Sequence, residues 1–300
     1  MTRTTSLPFR GLSGRRLVGL GLVLSALCAT APSVHAASPS KADSGKKPAA
    51  EATAAPAGVT STPATGPSTA VDPVALRYHQ QAVALLQRND EAGAREALQW
   101  LETGLKERPR IEPLHRLAGI AAFRVGDTAR AEKAFEAAIA LEPAVPFNYL
   151  KLASLYLCEL HKPDKAQAVL GRLFAAAPRE LGARQEAADM LAQCGSPDGA
   201  IDQYLRLSGL APELSWFYLM KAAQLYHVAE RYPDALKLLK RAAATGPKDR
   251  PELPAQYGST LARVGEKKLA AEQYRKALKL SPEPGLKTLL EKELRQLERH

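Results

Sequence analysis

From Asp72 onward, apolar and small residues return every three or four positions, the interval that places them on one face of a helix. The rhythm is interrupted at regular places. Prolines stand at Pro109, Pro143, Pro178, Pro212, Pro247 and Pro282, separated by 34, 35, 34, 35 and 35 residues. Twelve positions before each stands an alanine: Ala97, Ala131, Ala166, Ala200, Ala235 and Ala270. Eight positions before each stands a bulky residue: Leu101, Phe135, Leu170, Tyr204, Leu239 and Tyr274. A small and a large residue four apart share a helix face, so a neighbouring helix can approach the first and be packed by the second. The proline then ends the helix, because it lacks an N–H and its ring clashes with the preceding turn. A period near 34 residues predicts an internal repeat of helix pairs.

A first helix precedes each of these second helices. In "PLHRLAGIAAFRVGD" small Ala118 and Gly119 lie mid-helix, and Gly126-Asp127 makes the turn. "NYLKLASLYLCEL", "ARQEAADMLAQCG", "YLMKAAQLYHVAE" and "AQYGSTLARVGE" are its counterparts. Two units are irregular: the first has extra residues in "RNDEAGAREAL", expected between its helices, and the third has one extra near "LHKPDK", expected in its turn. After Pro282, Leu286, Leu289, Leu290, Leu294 and Leu297 fall on one face of a further amphipathic helix.

These positions resemble the tetratricopeptide repeat family, in an exported bacterial form, over about six units from Val74 to Pro282. The resemblance implies an all-α fold: a right-handed α-solenoid of about six helix–turn–helix units over 72–283. Residues 284–300 would form a C-terminal capping helix that covers the last repeat's open core.

The chain before Asp72 differs in kind. Arg3, Arg10, Arg15 and Arg16 precede the apolar run "LVGLGLVLSALCA", and "VHA" follows. That order predicts a secretory signal peptide over 1–36, cleaved after Ala36, and a periplasmic or secreted protein. The apolar run is short for a membrane span, so no transmembrane segment is expected after cleavage. Residues 37–71, built of Ala, Pro, Ser, Thr, Gly and Lys, predict a disordered linker. The chain carries a net charge of +10, and losing the four leader arginines leaves about +6. Such a mild excess goes with solubility rather than nucleic-acid binding.

Catalytic and cofactor motifs are absent from the sequence: there is no phosphate-binding glycine loop, no H-E-x-x-H and no G-x-S-x-G. His79, His115, His161, His227 and His300 are scattered without metal-ligand spacing. The expectation is a protein that is not an enzyme, with no cofactor and no metal. What the repeats offer is surface. The resemblance implies a concave groove lined by first helices that takes a protein or peptide partner. Its lining would include Arg116, Ile120, Phe123, Phe147, Leu150, Lys151, Ser154, Gln185, Asp189, Phe217, Met220, Lys221, Gln224 and His227. The family's carboxylate clamp needs an Asn where this chain has Ile120 and Ser154, so that clamp is not expected. Phe147, Trp216 and Phe217 lie at helix starts and are candidates for exposed anchors.

Cys158 and Cys194 lie near the ends of first helices in neighbouring units, 36 residues apart. Stacking would set these helices side by side, leaving two outcomes: a disulfide if the Cα atoms come within about 7 Å, or two small buried apolar residues. The functional expectation is a non-enzymatic interaction scaffold of the bacterial envelope that helps assemble a complex there. The alternatives are an accessory subunit of an envelope enzyme, or a binder of an anionic polymer. The polymer would use the basic C-terminal stretch from Lys237 to Lys279.

Overall fold

The structure, a computed structural model, describes residues 72–299, and the predicted leader and linker lie outside them. Thirteen α-helices and no strand occur among the described residues. They fall into six pairs: α1 (Pro73–Gln87) with α2 (Glu91–Glu107), α3 (Glu112–Arg124) with α4 (Thr128–Leu141), and α5 (Pro146–Ser154) with α6 (Pro163–Ala176). The others are α7 (Leu181–Gln193) with α8 (Pro197–Leu210), α9 (Ser215–Val228) with α10 (Tyr232–Thr245), and α11 (Glu252–Arg263) with α12 (Lys267–Lys279). A last helix, α13 (Pro284–Glu298), packs on α12.

Local chemistry sets the boundaries. Arg108, Glu142, Ala177 and Ala211 each end a second helix and precede a proline. Their φ lies between −125° and −134°, because proline's ring bars the preceding residue from the helical region. First helices end on a left-handed residue: Asn89, Gly126, His161, Gly195, Glu230 and Gly265 have φ of 54°, 77°, 51°, 81°, 59° and 87°. That residue reverses the chain so the second helix can fold back. Asp127 then caps α4 by accepting a hydrogen bond from Arg130 N at 3.0 Å.

The repeated alanines and bulky residues form the seam between layers. All six alanines are fully buried, and the six bulky residues are at most 4 % exposed. Burying one such large side chain contributes about 1.5–3 kcal/mol. The fit is tight. A Cβ on Gly119 would lie 2.6 Å from the Phe135 ring, and one on Gly258 would lie 2.7 Å from the Tyr274 ring. At the C-terminal end, Leu290 of α13 is buried with Ala255, Tyr274 and Ala277, and Leu286 and Leu297 pack beside them.

Both irregular units differ from the sequence expectation. In the first, only Arg88, Asn89 and Asp90 separate the helices, and the extra residues lengthen α2 to 17. Glu, Ala, Arg and Gln favour helix, so the insertion extends the element rather than looping out. In the third, the extra residue sits in the first helix, where Leu155–Glu159 form a π turn closed by Leu160 N to Leu155 O at 3.0 Å. Leu155, Tyr156 and Leu157 are all buried, and the wider turn absorbs the extra residue while keeping them in the core. The stretch from left-handed His161 to Pro178 then has the length of its counterparts in the later units.

Candidate partner-binding face

First helices are the elements that meet across non-adjacent positions: α1 touches α3, α5 touches α7, and α9 touches α11. Polar side chains tie several of these junctions. Asn148 of α5, fully buried, donates from Nδ2 to Glu112 Oε1 of α3 at 2.7 Å. Glu112 also meets Arg116 Nε at 3.1 Å. Tyr218 OH of α9 donates to Gln185 Oε1 of α7 at 2.9 Å. Gln256 Nε2 of α11 donates to Met220 O of α9 at 3.1 Å, and His227 Nδ1 lies 3.0 Å from Thr260 Oγ1. Between α5 and α7 the tie is covalent: Cys158, inside the π turn, is bonded to Cys194, the residue that ends α7, with Cα atoms 5.2 Å apart.

The expected groove residues divide into three groups. Arg116, Phe147 and Lys151 come together at the junction of α3 and α5. The Arg116 guanidinium lies 5.8 Å from the Phe147 ring centre and Lys151 Nζ lies 5.3 Å from it, so two cations flank one partly exposed aromatic face. Phe123 is 38 % exposed farther along α3. A second group, at α7 and α9, closes on itself: Lys221 Nζ is 3.4 Å from Asp189 Oδ1, which also accepts a hydrogen bond from Tyr204 OH. Gln224 is half-buried.

The third group is a correction. Phe217, Met220 and His227 are only 6 %, 7 % and 4 % exposed, so they are core residues and not open anchors. Phe217 is wedged edge-on between the Trp216 and Tyr218 rings, with centroids 5.9 Å and 5.5 Å away. His227 packs against the Tyr232 ring, and burial, aided by the Arg263 charge, pushes its pKa below the usual histidine value.

The buried Glu112–Asn148 pair escaped the sequence reading, although it left a signal. Asn148 occupies the repeat position held by apolar Leu114, Ala183 and Phe217 in other units. Its Oδ1 is buried without a hydrogen-bond partner in the protein. Among the described residues, no group of three or more His, Cys, Asp or Glu is placed to hold a metal ion. No helix among them is long and apolar enough to cross a membrane.

Six helix pairs in register, a small-and-large seam in each, and a capping helix define an all-α solenoid of the tetratricopeptide-repeat kind. No family model and no curated protein matches the chain. Many solved structures overlap it in part. A crystal structure of the MamA protein is 17 % identical, with 56 % of this chain and 91 % of that one covered and a TM-score of 0.41. PilW, a type IV pilus biogenesis factor, is 16 % identical over 73 % of this chain and 100 % of its own, with a TM-score of 0.44. A tetratricopeptide repeat protein from Parabacteroides merdae is 16 % identical over 74 % and 85 %, with a TM-score of 0.40. Overlaps of this size carry no inference about what this chain binds.

Proposed function

We propose that this protein is an exported, non-enzymatic scaffold that holds a segment of a protein partner along its first-helix face and helps assemble a complex of the bacterial envelope. The observation that carries this reading is the Phe147 cluster: a partly exposed aromatic ring flanked by Arg116 and Lys151. The Arg116 charge is already balanced by buried Glu112, whereas Lys151 makes no ion pair among the described residues. An apolar partner side chain on Phe147 with a neighbouring acidic group on Lys151 would satisfy both. Because the helices are tied to one another before binding, little ordering cost opposes association. Export rests on the leader pattern of residues 1–36.

Affinity capture from an envelope extract with the mature protein, run beside Phe147→Ala and Lys151→Glu variants of unchanged helicity, tests the reading. A partner held by the parent and lost from both variants is the expected result; retention by both rules out this face. N-terminal sequencing of the exported form should begin at Ala37, and an intact leader would overturn the export proposal.

A second reading has its own observation. Lys237, Lys240, Arg241, Lys248, Arg250, Lys267, Lys268, Arg275, Lys276 and Lys279 are all exposed. Of these, among the described residues, only Lys237 and Arg275 form ion pairs, with Asp234 and Glu298. Binding of an anionic polymer there would weaken steeply with salt, whereas segment capture at Phe147 would not.

A further inference from the structure

The third and fourth units are joined differently from the rest. At the other four junctions, the second helix of one unit packs along the first helix of the next: α2 on α3, α4 on α5, α8 on α9 and α10 on α11. Between α6 and α7 the backbones do not approach as closely. The sequence also differs here. Six residues after Pro109, Pro143, Pro212 and Pro247 stand His115, Tyr149, Tyr218 and Leu253, of which the last three are buried. In the fourth unit this position is Arg184. Its guanidinium stacks on the Phe174 ring of α6, 3.9 Å from the ring centre.

Beside this junction lies a groove of about 560 Å³, on the side of the second helices α6 and α8. Leu157, Leu170, Phe174 and Leu191 give it apolar walls, and Gly171 contributes no side chain to fill it. Its lining on α6 runs from Pro163 to Phe174. At 1.5 Å per residue that is about 16 Å, the length of roughly five extended residues.

Charge inside the groove is unevenly balanced. Asp202 is paired with Arg206 at 2.9 Å, and Asp198 with Arg231 at 3.3 Å. Arg184, partly buried, has no carboxylate at ion-pair distance among the described residues; Nη1 donates to the neutral Gln203 Oε1 at 2.8 Å. A partly desolvated cation without a counter-ion is unfavourable unless something completes it. Desolvation and the nearby Arg206 charge push the Arg184 pKa down, with the Asp202 carboxylate beside Gln203 opposing them.

We propose that this groove is a second binding site, on the opposite layer of helices from Phe147, and that it takes an extended partner segment with an acidic side chain beside an apolar one. The carboxylate closes on Arg184 as a charge-assisted pair, and the apolar neighbour lies on Phe174 and Leu170. A preformed length of groove suits an extended segment, and Arg184, the groove cation with no direct carboxylate pair among the described residues, sets its charge.

The test uses the mature, disulfide-bonded protein and two blocked peptides, acetyl-Leu-Glu-Phe-amide and acetyl-Leu-Gln-Phe-amide, followed through the Arg184 Nε–H resonance. The Glu peptide should shift that resonance saturably and bind about ten-fold more tightly than the Gln peptide, as a hydrogen-bonded charge pair requires. Arg184→Met should abolish the preference while the far-ultraviolet helical spectrum stays unchanged. Equal binding of the two peptides, no shift up to millimolar concentration, or shifts confined to residues around Phe147 would each overturn the proposal. So would an Arg184→Met protein that keeps the preference.

Discussion

At the scale of single residues, complementarity of size governs this fold, and glycine shows it in two opposite ways. Gly119 sits where Phe135 fills the space a side chain would need, with a Cβ position 2.6 Å from the ring. Gly171, in α6, faces open space. An alanine gains about 1 kcal/mol of helix propensity over glycine at either site. At Gly119 the methyl also meets the ring of a fully buried phenylalanine, and overpacking of that sort costs about 1–3 kcal/mol. Gly119→Ala should therefore lower the melting temperature and Gly171→Ala should raise it, both read by thermal denaturation. A stabilised Gly119→Ala protein would mean that the seam is looser than its distances indicate. The alanine and bulky positions were legible in the sequence because every unit repeats them. Asn148 and Glu112 were not, because a buried polar pair is written once and its two halves lie 36 residues apart. Phe217 and Met220 were misplaced for a related reason: apolar residues on both sides of a first helix do not say which side the next unit covers.

At the scale of elements, each helix pair depends on the left-handed residue that turns the first helix into the second. Glycine supplies it at Gly126, Gly195 and Gly265, but Glu230 adopts φ 59° and His161 adopts φ 51°. A non-glycine residue pays about 1–2 kcal/mol for this conformation through its Cβ. Glu230 is exposed and makes no side-chain hydrogen bond or ion pair among the described residues. Glu230→Gly should thus stabilise the protein by about 1 kcal/mol, and Gly195→Ala should destabilise it by a similar amount. Chemical denaturation with an unchanged m-value is the appropriate measurement, because it separates stability from a change in compactness. The boundaries of most elements could be read from proline and glycine spacing. The π turn and the lengthened α2 could not. An added residue shows in the count, but whether a helix extends, widens or loops depends on which neighbours must stay buried.

At the scale of the whole described array, the junction between the third and fourth units is the weak point. Elsewhere a second helix lies close along the next first helix, but α6 and α7 stand farther apart, with the Phe174–Arg184 stack between them. The junction is also held by contact between α5 and α7, by the buried side chains Leu173, Ala187 and Leu191, and by the Cys158–Cys194 bond. In a repeat array, cooperativity depends on each interface between neighbours, so a weak one is where unfolding can divide. The disulfide closes a loop of 36 residues, worth about 4 kcal/mol in the chain-entropy model. It therefore stabilises the junction where packing does least. Reduction, or Cys158→Ser with Cys194→Ser, should lower the melting temperature and also broaden or split the transition. Residues 72–177 and 181–299 should then exchange amide hydrogens at different rates. Calorimetry with and without reductant, alongside hydrogen exchange read by mass spectrometry, gives both outcomes. A single sharp transition that merely moves to lower temperature, with exchange still uniform across the junction, would show that side-chain packing around Leu173 and Leu191 couples the two halves without the bond.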